Sequence, residues 1–166
     1  MQRRLVSLVV NNQPGVLTRV AGLFTRRGYN IDSLTVSATQ EPALSRITVV
    51  VTADESMLQQ VVRQVEKLID VRVVQVLDDA PVTRAEVALF KVRQSADQSL
   101  MDIVNASHAA IVDMGERTVT IRATGSLEEI DALVARLEAF GIEEMARSGL
   151  VALGRGDGVL APICTA

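Results

Sequence analysis

Residues 11–17 read NNQPGVL, and this stretch directly follows the apolar run Leu5–Val10. A short run rich in Val and Leu that ends in turn-forming residues is typical of a buried strand. After the turn, apolar residues recur at helical spacing as far as Phe24, and Gly28 stands where a left-handed helix C-cap belongs. The stretch therefore predicts a tight connection from a buried strand, over residues 3–10, into a helix.

The segments after this helix predict three more strands and a second helix. Residues 30–39 alternate apolar and polar side chains, and residues 44–52 form another apolar run, so both are predicted as strands. Asp54 can cap a helix whose apolar residues extend to Ile69, and residues 71–77 complete the unit as a strand. The order βαββαβ is that of a ferredoxin-like fold.

The same order of elements recurs beyond a linker at residues 78–81. Ser126 and Glu129 have the spacing of a capping box and mark the start of the last helix. We therefore predict an α+β protein of two tandem ferredoxin-like βαββαβ domains, 1–78 and 79–166, with a loose tail after Gly154. The predicted elements of the second domain are a strand at 84–93, a helix at 95–107, strands at 110–114 and 118–124, a helix from 127 to 140 and a strand at 142–153.

Composition excludes several classes of function. Only 2% of the residues are aromatic, the net charge is −3 and the pI is about 5.2, so neither stacking platforms nor a basic face for nucleic acid is expected. No apolar stretch approaches the roughly 20 residues that a membrane span needs. The single cysteine, Cys164, cannot form an intrachain disulfide. We expect a cytoplasmic protein that binds neither nucleic acid nor membrane.

The turn at residues 11–17 has the chemistry of a small amino-acid site. Amides at a helix start lack intrahelical partners and favour a carboxylate, while an Asn side chain offers its oxygen to an ammonium group. Gly15 permits close approach to the backbone. The strand after the helix is expected to pair beside the first strand, which would place Asn30 near the turn. The alternative is that the turn is only a capped connection and Gly28 only a helix stop.

The sequence shows no catalytic constellation. A Ser-His-Asp triad would have to use His108, the only histidine, for which a polar helix end is the simpler interpretation. His108 and Cys164 alone cannot supply the four ligands of a structural zinc site, so no metal site is expected. The stretch GRGDG at 154–158 lacks the Lys-Ser/Thr pair of a phosphate loop.

Several motifs resemble one family over nearly the whole chain. These are NQPGVL at 12–17, GLF at 22–24, RRGYNIDSLTV at 26–36, SRIT at 45–48, KLIDV at 67–71, ARSG at 146–149 and RG at 155–156. Together they are similar to the signature of acetolactate synthase small subunits. The match is weaker over residues 95–108, where relatives tend to have more basic and aromatic residues.

This resemblance implies an N-terminal ACT domain that forms a homodimer and binds valine, with the C-terminal domain ACT-like. It implies a regulatory subunit rather than an enzyme by itself. The chain would activate the catalytic large subunit of branched-chain amino acid biosynthesis and confer feedback inhibition by valine. Thiamine diphosphate, Mg and FAD would belong to that partner, with no cofactor in this chain. The family's valine contacts fall on Asn12, Gly15, Val16, Leu17, Asn30 and Ile31.

Two other functions remain open from the residues alone. A stand-alone ACT protein that senses an amino acid would control some other partner. An enzyme in its own right would need polar catalytic groups, which the sequence does not supply.

Overall fold

The computed structural model describes residues 2–26, 28–78, 81–93 and 98–160. The chain divides into two compact units. Of the described residues, the first unit contains those up to 83 together with those from 152 to 160, and the second contains those between 84 and 151. The expected division into domains 1–78 and 79–166 stays a prediction, since the compact units divide at different residues.

The first unit has the predicted βαββαβ order. Its four strands form one antiparallel sheet in the order β2-β3-β1-β4, so β1 and β3 are central and β2 and β4 are edges. The elements are β1 (Gln2–Asn11), α1 (Val16–Arg26), β2 (Ile31–Ala38), β3 (Leu44–Ala53), α2 (Glu55–Val65) and β4 (Val71–Val76).

Both helices pack on one face of this sheet and form the core with it. Phe24 and Val20 of α1 and Leu58 of α2 are fully buried against alternate residues of the central strands, among them Leu8 and Val49. Because successive strand residues point to opposite faces, Leu5, Val9 and Val50 lie on the other face. These side chains are buried too, so the central strands are covered on both faces.

The start of α2 and the end of α1 follow the sequence signals closely. The Asp54 carboxylate accepts the Met57 amide at 2.9 Å and caps α2 as predicted. At the end of α1, the Tyr29 amide donates to the Phe24 carbonyl at 3.1 Å and the Gly28 amide to the Thr25 carbonyl at 3.0 Å. With Gly28 at φ +71°, this is a Schellman cap, which confirms the predicted C-cap.

The predicted extent of α2 was wrong. The helix ends at Val65, and Ile69, placed by sequence on its apolar face, is 90% exposed. The chain leaves the helix through two tight turns, in which the Leu68 amide donates to the Val65 carbonyl at 3.0 Å and the Val71 amide to the Leu68 carbonyl at 2.9 Å. These turns expose Ile69 and bury Asp70 instead.

The second unit repeats the topology, with a sheet in the order β6-β7-β5-β8. Its helices cover the face that carries Phe90 and Ile121, both fully buried. The elements are β5 (Val82–Arg93), α3 (Gln98–Ala106), β6 (Ala110–Met114), β7 (Thr118–Gly125), α4 (Leu127–Leu137), a 3-10 turn (Glu138–Phe140) and β8 (Ile142–Arg147). The last strand, β9 (Val151–Gly154), falls almost entirely in the part of the chain that belongs to the first unit. Residues 95–97 of the predicted helix lie outside the described residues.

The capping box at the start of α4 is confirmed. Ser126 Oγ accepts the Glu129 amide at 3.2 Å, and the Glu129 carboxylate accepts the Ser126 amide at 2.7 Å. The prediction of a single final strand over residues 142–153 was wrong. Gly149 has φ +80° and separates β8 from β9. The tail is described to residue 160 and has no helix or strand after Gly154, and residues 161–166 lie outside the description.

One arginine holds a buried ionic cluster in the second unit. Arg147 donates two hydrogen bonds of 2.8 Å to the buried Glu86 carboxylate and one of 2.7 Å to Asp131. The bonds to Glu86 raise the pKa of the guanidinium further above its usual value, against the effect of burial. This pairing accounts for the arginine of the ARSG motif as a structural residue that joins β5, β8 and α4.

Candidate effector-binding site

The turn between β1 and α1 is exposed and is joined to the loop between β2 and β3. The Asn12 amide donates to the Ala43 carbonyl at 2.7 Å, and Asn12 Nδ2 donates to the Pro42 carbonyl at 2.9 Å. One N–H of the Asn12 side chain is therefore committed to the fold. Its oxygen and second N–H are the groups with which Asn12 can address a ligand.

The start of α1 presents backbone amides toward this turn. The first bond that the helix closes runs from the Arg19 amide to the Gly15 carbonyl at 3.1 Å, so earlier amides have no intrahelical carbonyl to reach. No acidic side chain lies in the first helical turn, so nothing there offsets the positive end of the helix dipole. Gly15 has φ +84°, a conformation that favours glycine.

The two apolar residues at the helix start have different environments. Val16 is buried in the core of the first unit, so only its backbone can face a ligand at the turn. Leu17 is 41% exposed and can supply an apolar wall. The turn thus combines donors for a carboxylate with one exposed aliphatic side chain.

Asp70 and Arg19 border the turn, and the sequence did not single them out for the site. Arg19 Nη2 lies 2.6 Å from Asp70 Oδ2, and the Asn11 amide donates to the Asp70 carbonyl at 2.8 Å. A Cβ on Gly15 would lie 3.3 Å from Arg19 Nη1, so the guanidinium packs beside the glycine. The sequence signal that could have indicated this pair is an aspartate among the apolar residues that precede β4.

Asn30 and Ile31 do not lie near the turn of their own chain. The expectation that the second strand pairs beside the first was wrong, because β3 lies between β1 and β2. Ile31 aligns with Val51 of β3, which in turn aligns with Arg4 at the start of β1. From Arg4 to the turn is seven residues of strand, or roughly 23 Å. The six predicted contacts thus form two groups at opposite ends of the sheet.

The other candidates have structural explanations or no further support. His108 has φ +50° and caps α3, where the Ala109 amide donates to the Val104 carbonyl at 3.0 Å, as expected of a helix end. Across the described ranges, no group of three or more His, Cys, Asp or Glu residues could hold a metal ion. Among the residues that the structure describes, no helix is both long and apolar enough to cross a membrane.

A ferredoxin-like unit whose first strand enters its first helix through a glycine turn is the arrangement expected of an ACT domain, a regulatory module. The family described as AHAS small subunit-like ACT domain matches residues 6–73, and the one described as small subunit of acetolactate synthase matches residues 85–156. The chain therefore belongs to the acetolactate synthase small subunit family.

Individual relatives agree with this assignment. The acetolactate synthase small subunit of Mycolicibacterium smegmatis is 44% identical over 91% of this chain and 90% of its own length. The probable small subunit of Methanothermobacter thermautotrophicus is 39% identical over 92% and 93%. The crystal structure of the small subunit from Thermotoga maritima superposes with a TM-score of 0.84 at 34% identity, over 95% of this chain and all of that one.

Proposed function

We propose that this chain is the regulatory subunit of an acetolactate synthase. It activates a catalytic large subunit, and valine bound at the turn before α1 reduces that activity by feedback. The observation that carries the proposal is the exposed glycine turn with helix amides that have no intrahelical partner, in a chain that belongs to the small subunit family.

The separation of the two contact groups supports a homodimer. β2 is an edge strand, and it runs parallel to β1 because both pair antiparallel with β3. If two copies pair antiparallel through β2, the start of β2 in one copy comes level with the end of β2 in the other. Asn30 and Ile31 of a second copy then reach the end of the sheet that carries the turn. Such pairing also covers an exposed strand edge.

Each proposed site would take one group of residues from each copy. The carboxylate of valine would accept from the amides of Gly15 and Leu17, and its ammonium would donate to the side-chain oxygens of Asn12 and the second copy's Asn30. Leu17 and Ile31 would contact the aliphatic side chain. A ligand held by two copies stabilises their association, and this gives the effector its influence on the arrangement of the dimer.

The reaction chemistry would belong to the catalytic partner. This chain contributes no catalytic residue in the proposal, and thiamine diphosphate, Mg and FAD would be held by the large subunit. The role of this chain is to bias a conformational equilibrium of the complex. Allosteric couplings of this kind are typically about 1–3 kcal/mol.

The test is acetolactate production by the cognate large subunit, with and without this chain, across a valine titration. Stimulation that valine reverses is expected. Stimulation without a valine response would contradict the effector part of the proposal. No stimulation and no detectable complex would overturn it and favour a stand-alone amino-acid sensor.

A matched pair of variants locates the effector at the turn. Gly15→Asp places a negative charge where the ligand carboxylate binds, and both Asp and Asn tolerate the left-handed backbone better than other residues. We expect Gly15→Asp to weaken valine binding by at least about tenfold, more than Gly15→Asn, while activation persists. Asn30→His, which removes the amide and adds bulk, should also weaken binding. Calorimetry with Gly158→Asp as the control checks this, and unchanged valine affinity in Gly15→Asp would refute the site.

A further inference from the structure

Asp70 lies at the junction of α2 and β4 and contacts the segments on both sides of the effector turn. On the strand side, the Asn11 amide donates to its carbonyl at 2.8 Å, and Asn11 Nδ2 lies 3.5 Å from Oδ1. On the helix side, Arg19 Nη2 donates to Oδ2 at 2.6 Å. One residue therefore fixes both ends of the turn at residues 12–15.

The environment of this residue suits an anchor rather than a ligand contact. The Asp70 side chain is 10% exposed, whereas that of Arg19 is 49% exposed, so the carboxylate is the fixed partner of the pair. Arg72 Nε donates to Asn11 Oδ1 at 2.8 Å, which orients the Asn11 amide toward Asp70. A buried carboxylate with several donors strongly favours one arrangement of those donors.

Apart from the two bonds of Asn12 to the loop between β2 and β3 and the short backbone bonds within it, the turn has few contacts to hold it. Its residues are exposed, and Gly15 has more backbone freedom than any other residue type. The conformational entropy lost when a ligand fixes such a turn reduces the binding affinity, unless the protein has already fixed the turn. The contacts of Asp70 with Asn11 and Arg19 supply that prior order at both ends.

We propose that Asp70, acting through Arg19 and Asn11, is a positioning residue that sets the effector affinity of the turn without contacting the effector. The inference rests on the proposed function. The Arg19 guanidinium also lies beside Gly15, because a Cβ there would meet Nη1 at 3.3 Å. The Asp70–Arg19 pair therefore determines where the glycine backbone sits.

The experiment measures valine binding to the full-length chain by calorimetry for Asp70→Asn, Arg19→Gln and the double variant. Each single change is expected to weaken valine binding by about five- to tenfold. The double variant is expected to bind valine as well as the single variant with the lower affinity, because both single changes remove the same interaction. Arg63→Gln, an exposed arginine on α2, is the matched control and should bind like the unaltered chain.

A conservative variant separates positioning from general loss of structure. Arg19→Lys keeps the charge toward Asp70 and should bind valine within about threefold of the unaltered chain, although Arg19→Gln does not. Because the Arg19 side chain is half-exposed, both Arg19 variants are expected to fold and to activate the catalytic subunit fully without valine.

The outcomes distinguish this inference from the function on which it rests. Failure of the unaltered chain to bind valine would overturn the proposed function. Normal binding in Asp70→Asn and Arg19→Gln would overturn the positioning role and leave the proposed function intact. Equal weakening in Arg19→Lys and Arg19→Gln, or additive effects in the double variant, would also overturn the positioning role.

Discussion

The two units share a topology but differ in how their central strands are covered. The sheet orders β2-β3-β1-β4 and β6-β7-β5-β8 are equivalent element for element. In β1, seven consecutive residues from Arg4 to Val10 are buried, whereas β5 alternates, with Ala88 and Phe90 buried and Val87 and Leu89 exposed. The two sheets therefore share a topology, but the second face of the central strand is buried in β1 and exposed in β5. The residue pattern of each strand shows this difference.

Matched valine truncations test this contrast and have the larger expected effect. Val9 is 3% exposed on β1, and Val87 is 41% exposed on β5. Val9→Ala should lower the free energy of unfolding by about 1–3 kcal/mol, because it leaves a cavity in a covered face. Val87→Ala should change it by no more than about 0.5 kcal/mol. Urea unfolding at one fixed protein concentration measures both, and equal losses would remove the distinction between the two sheets.

Substitutions at the helix C-caps of the two units are expected to have smaller effects on stability, and the two effects are opposite in sign. Gly28 after α1 and His108 after α3 both occupy left-handed caps, with φ +71° and +50°. Gly28→Ala should destabilise the protein by about 1–2 kcal/mol, since no neighbour lies within 4 Å of the new Cβ and only the backbone is strained. His108→Gly should stabilise it by about 0.5–1 kcal/mol, because relief of strain exceeds the entropy that glycine adds to the unfolded chain.

Thermal unfolding checks the sign of each cap effect. For a chain of this length, about 1 kcal/mol corresponds to a shift of about 2–4 °C in Tm. A lower Tm for His108→Gly would mean that the histidine side chain stabilises the protein through a contact of its own.

The features that the sequence predicted well are those set by local chemistry. The glycine cap at Gly28, the capping box at Ser126 and the cap at Asp54 depend on residues within one or two turns, and all three are confirmed. The order of elements followed from apolar spacing, which also acts locally. Local signals were less reliable where tight turns overrode an apolar pattern, as at Ile69, and where a left-handed glycine interrupted a predicted strand, as at Gly149.

The candidate site was only half predictable, because its remaining parts depend on long-range pairing. The glycine turn was evident as a strand-to-helix connection. The position of Asn30 depends on β3 inserting between β1 and β2, which adjacency in sequence does not indicate. The role of Asp70 depends on a contact with Arg19 across 51 residues, and a single carboxylate in a mixed stretch gives no sign of its partner.

The parallel course of β1 and β2 has a genetic consequence in the proposed dimer. Each site would combine the turn of one copy with Asn30 of the other, so a Gly15→Asp copy and an Asn30→His copy would concentrate both defects in one site. The second site would then combine an intact turn with an intact Asn30. Two alleles that are each insensitive to valine would complement one another within a mixed dimer and restore one working site of the two.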